Sequence, residues 1–456
     1  MLTQIWKRSA SPLPGDSSDD HESSSIPLLS LGDLTRRPSS RTTRSIVLAL
    51  APPTTLVLLL FVAVYSSLLL PSSSDSLQHA LAWKYLNGSN VDVFERLEIR
   101  GGDGSAKAGF IALGATMTDF WVKDRNGTLR DVVVGYSNTT DYLTDPSYAY
   151  FGAIVGRYAN RIQNASFSLP STSLFPQQKT YSLPINELPH TTLHGGRAGY
   201  SRSGWKLEEH SGNKVVFSLR DEGAEDFPGT VLTTASYTLL SSPTRLVSNF
   251  SSHILSASTQ TPLMLSSHVY WNLDGYKTEE GGRNMELWVD ADRTIEVDGG
   301  LIPTGALPAI SPSAALNFQN GSALDWKLSL REVEGLCGDG CIGIDNALIY
   351  TNSVRDEATD IVMSLSSPSS GIRFAVRTNQ PAVHLYSCNS PLFAEGAYAR
   401  KASQGGGTYG QYSCLAVEQE GMVDGIHHAD EWGVNQIYDE YRPYEWWSEY
   451  EFSTFE

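Results

Sequence analysis

Glu418 ends the apolar run Leu415-Ala416-Val417 in the segment CLAVEQEGMVDGIHH. A carboxylate at the end of such a run costs free energy unless it is paired or used, and burial would raise its pKa toward the range of a general base. His268 precedes Val269-Tyr270-Trp271 in SSHVYWNLDG, an apolar and aromatic stretch that predicts a buried strand. Alone, that imidazole fits a hydrogen-bonded core residue as well as a proton donor facing a pocket.

Three further polar constellations interrupt the strand background. GRYANRI, residues 156–162, brackets Tyr158 with two arginines and Asn160. Asn160 and Arg161 offer the directed donors that polyols need, although solvated arginines at a strand end give the same pattern. LHGG, residues 193–196, sets His194 ahead of paired glycines, which mark a turn or let backbone and ligand approach closely. GIDNALIY places Asp345 before an apolar run, where Asp-Asn is ordinary turn chemistry. No Gly-x-Ser-x-Gly elbow, phosphate-binding loop or dinucleotide fingerprint occurs in a fitting context. His427 and His428 flanked by Asp424 and Asp430 make a poor metal site, because adjacent side chains on a strand point to opposite faces.

The elements that must position these residues are strands. KVVFSLR, VLTTASYTLL, MELWVD, IRFAVRT and CLAVEQE are rich in β-branched and aromatic residues, with glycine, proline, asparagine and aspartate between them. No long amphipathic helical pattern, repeat or linker divides the region, so the reading is all-β, a single large sandwich domain over 90–456. Residues 1–45, rich in Ser, Pro, Asp and Arg, are expected to be disordered. Residues 46–70 carry no charge and are long enough for one transmembrane helix, with 71–89 as a linker. Arg36, Arg37, Arg41 and Arg44 precede that run, which puts the N-terminus in the cytosol and the domain in the lumen or outside. Cleavage after the apolar run would instead release a secreted domain. Asn87, Asn126, Asn138, Asn164, Asn249 and Asn320 all begin glycosylation sequons beyond the anchor, in agreement with that orientation.

Hydrophobic residues at 41% supply a sizeable core, and the formal charge of −17 argues against nucleic acid and anionic membrane surfaces as partners. Cys337 and Cys341 flank the tight turn of CGDGC, and could form a local disulfide in an oxidising compartment or remain thiols. Cys388 and Cys414 sit in strand-like segments, and no ligand spacing accompanies the four cysteines that would fit structural zinc.

In their order, these segments resemble the aldose 1-epimerases, the galactose mutarotase family. The resemblance starts at LGATMTDFWVKDRNGTLRDVVVGYSNTTDYL and runs through YFGAIVGRYANRI, LHGG, SSHVYWNLDG, GLIPTGALPAI, GIDNAL and QPAVHLYSCN to VEQEGMVDGIHH and RPYEWWSEYEF. It covers residues 90–456 and implies a β-supersandwich that interconverts the α and β anomers of a free aldose without a cofactor. The family's general acid falls on His268 and its general base on Glu418. Positions that bind sugar hydroxyls fall on Asn160, Arg161, His194 and Asp345. A carboxylate and a protonated imidazole on opposite sides of the ring can take the proton from the C1 hydroxyl and deliver one to the ring oxygen. The open aldehyde then turns about C1–C2 and recloses with the two groups exchanging roles.

Three departures bear on sugar preference. Pro381-Ala382-Val383-His384 stands where the family commonly has Pro-Gly-Val-Gln, so His384 replaces a sugar-binding glutamine. Glu418-Gln419-Glu420-Gly421-Met422-Val423-Asp424-Gly425 stands where Glu-Thr-Gln-x-x-Pro-Asp-Ala is usual, and Asn317-Phe318 replaces an Asp-Phe pair. Two other functions compete: a hexose-6-phosphate 1-epimerase, which needs added cations, and a non-catalytic carbohydrate-binding protein, which needs no proton-transfer pair.

Overall fold

The computed structural model describes residues 88–171, 176, 178–187, 189–278, 281–312, 314–319, 324–325, 334–351 and 356–456. The tail, anchor and most of the linker expected over residues 1–87 lie outside these, as do the sequons at Asn87 and Asn320. Among the described residues no helix is long and apolar enough to cross a membrane.

The fold is mostly β. The described α-helices, Asp141–Thr144, Pro391–Ala394 and Ala429–Trp432, are single turns of four residues. Strands Leu97–Arg100, Ala106–Ile111, Thr116–Lys123 and Leu129–Asp131 form a four-stranded antiparallel sheet in chain order. A nine-stranded sheet includes Lys214–Asp221, Val231–Leu240, Thr244–Ile254, Tyr444–Thr454 and Ile372–Thr378 as consecutive neighbours. Val231–Leu240 alternates strictly between buried and half-buried positions, the period of a strand with one face on the core. KVVFSLR, VLTTASYTLL, MELWVD, IRFAVRT and CLAVEQE all contain or coincide with strands of the structure.

The sheet that carries the chemistry has five strands, in the order Val269–Trp271, Leu415–Glu420, Ala382–Tyr386, Asp345–Tyr350 and Ala291–Thr294. Alternation sorts its side chains. Trp271 points into the core, where its ring meets Phe120 of the four-stranded sheet and Phe374, Tyr450 and Phe452 of the nine-stranded one at 5.2–6.0 Å. Each buried phenylalanine in that layer contributes about 3 kcal/mol of transfer free energy. His268, Tyr270, Glu418, His384, Tyr386 and Asp345 line the cavity on the other face.

The stretch SSHVYWNLDG is not one continuous strand. Ser266–Ser267 pairs with Ile154–Val155, whereas Val269–Trp271 pairs with Leu415–Val417. His268 is the joint between the two pairings, held by its N–H to Ala153 O and by its carbonyl from Gly152 N–H, each at 2.9 Å. A joint between sheets lets a side chain leave the plane of regular packing.

All four cysteines are paired. Cys337–Cys341 closes the CGDGC turn, and Cys388–Cys414 is a second bridge that the residue pattern did not single out. Tyr386 pairs with Ala416, so continuing that register by two residues sets Cys388 opposite Cys414, with Cα atoms 5.6 Å apart. Both bridged segments border the cavity.

Candidate active site

The cavity measures about 670 Å³, within the range of small-molecule sites. One rung of the five-stranded sheet forms its floor. His384 pairs with Glu418, and the Val269–Val417 register extends to His268 opposite Glu418, so three adjacent strands present imidazole, carboxylate and imidazole in a row. His268 Nε2 lies 3.4 Å from Glu418 Oε1. Both side chains are almost fully buried, and among the described residues His268 Nδ1 and Glu418 Oε2 have no hydrogen-bond partner.

Burial governs their protonation. Desolvation lowers the His268 pKa to about 3, helped by His384. Desolvation, then the charges of Glu420 and Asp345, push Glu418 well above the usual carboxylate range. Without a sugar the neutral arrangement therefore wins: one proton, resting on Glu418, beside a free imidazole. That proton and the two nitrogens and oxygens around it are what a relay across a ring requires.

His194 joins them from the LHGG turn. Its N–H donates to Asn160 O at 3.0 Å, and its Nδ1 accepts the Asn160 N–H at 3.1 Å. Since Nδ1 is an acceptor, a neutral His194 carries its proton on Nε2. Burial keeps it neutral by holding its pKa well below the ordinary value, with the His268 and Arg161 charges acting the same way. Its ring stands edge-on to His268 at 5.1 Å and to Tyr150 at 4.7 Å. Gly195 makes the turn possible: its φ is +81°, and a Cβ there would lie 1.9 Å from Gly156 O.

The other predicted residues form an ionic wall. Arg161 is gripped by Glu187, with Nε at 3.0 Å from Oε2 and Nη2 at 2.9 Å from Oε1, and reaches to 3.8 Å from Asp345 Oδ2. Asp345 Oδ1 lies 2.5 Å from His384 Nε2. Burial opposes the Asp345 charge, but Arg161 and His384 outweigh it and keep its pKa below the usual value. Asn160 turns its amide inward instead, donating from Nδ2 to Glu420 Oε1 at 3.0 Å. All seven predicted residues, His268, Glu418, Asn160, Arg161, His194, Asp345 and His384, line this one cavity.

Sequence reasoning missed Glu187, Tyr150 and Tyr386 as parts of the site. Glu187 lies in a loop of no distinctive pattern, and only its grip on Arg161 identifies it. Tyr386 could have been found, since strand alternation puts it on the same face as His384. His194, His268 and Glu418 lie close together, within 4.8 Å atom to atom, but His194 Nδ1 already accepts the Asn160 N–H and its Nε2 carries the proton, so this is a proton-handling cluster rather than a metal site. His427 and His428 belong elsewhere: each pairs with its own carboxylate, Asp424 at 2.7 Å and Glu431 at 3.0 Å.

A mostly-β fold with a buried imidazole–carboxylate pair facing a polar cavity defines the class, and the comparisons agree with it. The chain belongs to the aldose 1-epimerase family, whose model matches residues 95–450. A probable aldose 1-epimerase of Arthroderma benhamiae is 38% identical over 381 residues, covering 76% of this chain and 84% of its own. The galactose mutarotase of Mus musculus is 30% identical over 320 residues, covering 70% and 83%. A solved aldose epimerase homologue from C. elegans superposes with a TM-score of 0.65 at 25% identity, over 79% of this chain and 99% of its own. A galactose 1-epimerase from Lactobacillus acidophilus shares the fold at a TM-score of 0.57, 19% identity and coverage of 78% and 93%.

Proposed function

We propose that the protein is an aldose 1-epimerase that opens and recloses the ring of a free aldose, with His268 as general acid and Glu418 as general base. The observation that carries this reading is the 3.4 Å approach of a buried imidazole and a buried carboxylate at the floor of the cavity. For ring opening the proton moves to His268, which delivers it to O5 while Glu418 takes the C1 hydroxyl proton. Reclosure on the other face of the aldehyde reverses the roles. Arg161, His194, Asp345 and His384 hold the sugar hydroxyls; Asn160, expected to do the same, lines the cavity beside them with its amide already given to Glu420.

The β-supersandwich is the fuller form of this fold, and the aromatic layer joining the three sheets supports it. A single anchor at 46–70 with the domain lumenal or outside is part of the same proposal. It is supported by the uncharged run, the two disulfides, and the exposure of Asn126, Asn138, Asn164 and Asn249. A hexose-6-phosphate substrate fits less well, because Arg161 is the one lysine or arginine among the described lining residues and Glu187 already holds it. A binding module would gain nothing from burying an acid–base pair at such cost.

Polarimetry of freshly dissolved α-anomers with the domain from residue 71 onward tests the proposal. Accelerated rotation toward equilibrium for at least one aldose is expected. Detectable sugar binding with no acceleration for any aldose would overturn it in favour of a binding protein.

A further inference from the structure

A second carboxylate lies beside the floor of the cavity. Glu420 follows Glu418 by two residues on the strand Leu415–Glu420, so alternation turns both to the same face, about 7 Å apart along the chain. Glu418 lines the cavity and Glu420 does not. Glu420 is 0% exposed, yet among the described residues its Oε2 has no hydrogen-bond partner. Its Oε1 accepts from Asn160 Nδ2 at 3.0 Å and lies 3.9 Å from His384 Nδ1. Arg161 and Asp345 also act on its charge, as it acts on the phenols of Tyr158 and Tyr444.

A carboxylate that served packing alone would be satisfied by donors or replaced by an apolar group. Among the described residues Glu420 has one close donor, Asn160; it also approaches His384 and shares a strand face with Glu418. Two buried carboxylates on one face are strongly coupled, because ionising the first raises the cost of ionising the second.

We infer that Glu420 is a positioning residue that sets the proton affinity of the base Glu418, through their shared strand face, and ties it to the sugar-binding groups through Asn160 and His384. The inference rests on the reading of Glu418 as the general base. Burial pushes the Glu420 pKa up to about 7, against the opposing influence of His384, Asn160 and Arg161. As pH rises past that value, Glu420 becomes charged and Glu418 turns into a stronger base that holds its proton longer.

The test is the pH profile of kcat/KM for mutarotation in Glu420→Gln, which keeps the shape and the acceptor for Asn160. The acidic limb is expected to move down by about one pH unit, and the plateau to fall severalfold as the base weakens. Glu420→Asp, which keeps the charge, should hold the limb near its wild-type position. A limb that does not move in Glu420→Gln, or a uniform loss expressed in KM alone, overturns the inference.

Should Glu420→Gln fail to melt as a folded protein, carboxyl titration by infrared difference spectroscopy decides between wild type and Glu418→Gln. A surviving carboxyl step displaced from its wild-type pH supports the coupling, and one that stays in place overturns it. Failure of the proposed function looks different: wild type inactive on every aldose, or Glu418→Gln fully active. An inactive Glu418→Gln beside an unmoved Glu420→Gln limb removes this inference alone.

Discussion

His268 and Glu418 lie opposite each other on one rung of the five-stranded sheet, with Nε2 and Oε1 3.4 Å apart. They come from segments 150 residues apart in the chain, and the antiparallel ladder between Val269–Trp271 and Leu415–Val417, with the backbone bonds of His268 to Gly152 and Ala153, sets their spacing. Because each is buried, the pair favours two neutral groups over an ion pair, with the carboxyl holding the transferable proton.

Glu418→Gln is expected to lower kcat by about 10²–10⁴, the usual contribution of a positioned acid or base, with sugar affinity largely kept. His268→Gln should cost a similar factor. Since the two act as one relay, the double variant should be scarcely slower than the worse single one. Stopped-flow polarimetry with calorimetric sugar binding measures both parts, and multiplicative losses would argue against a shared proton.

Arg161→Lys breaks the two-point grip of Glu187 while keeping the charge. A lysine cannot reproduce a planar fork, so Glu187 loses a charge-assisted bond worth about 1.5–3 kcal/mol. The expected result is a rise of roughly 10- to 100-fold in KM with a smaller change in kcat. Steady-state kinetics over a range of sugar concentrations would show it.

Gly195→Ala puts a methyl group 1.9 Å from the Gly156 carbonyl oxygen, at a φ of +81° that L-residues rarely adopt. The backbone must shift, and His194 shifts with it. A loss of at least about 2 kcal/mol in unfolding free energy is expected, together with weaker sugar binding. Urea denaturation with a binding titration checks the two consequences separately.

Replacing Cys388 and Cys414 together by serine opens a loop of sequence separation 26 whose residues border the cavity. Loop-closure entropy predicts a loss of about 3 kcal/mol in stability. The same change should raise KM more than it lowers kcat, because the acid–base rung lies on the strands and the loop forms the rim. Thermal melting and kinetics of the double serine variant test this.

The depressed pKa of His268 has a stability consequence of definite sign. An imidazole at about 3 when folded and 6.5 when unfolded binds fewer protons in the native state between those values. Its contribution is full above pH 6.5 and is lost as pH falls toward 3. The stability of wild type relative to His268→Gln should therefore decline on acidification from pH 7 to pH 4. Denaturant midpoints at the two pH values measure it, and a constant difference would contradict the assignment.

Much of the architecture was legible from local pattern. Val231–Leu240 and Ile372–Thr378 have the bounds their β-branched and aromatic residues predict, since a half-buried strand imposes a period of two on its own sequence. The seven residues that meet in the cavity were picked out as well, but through the ordered resemblance to a family rather than through their own surroundings. His268 shows why. Its neighbours Val269 and Trp271 are core residues, and nothing local reveals that the strand changes partners at the histidine.

Glu187, the Cys388–Cys414 bridge and the role of Glu420 were not legible. Each depends on a partner far along the chain: Arg161 across 26 residues, a cysteine across a hairpin, Asn160 across 260 residues. The sequence by itself determined a mostly-β domain, its strand faces and the residue types able to move a proton. Only the tertiary structure decided which of those residues meet, because sheet register, not sequence spacing, sets distances between strands. It also decided which meet in the dry interior, where burial lowers the proton affinity of a histidine and raises that of a glutamate until the two stand neutral side by side.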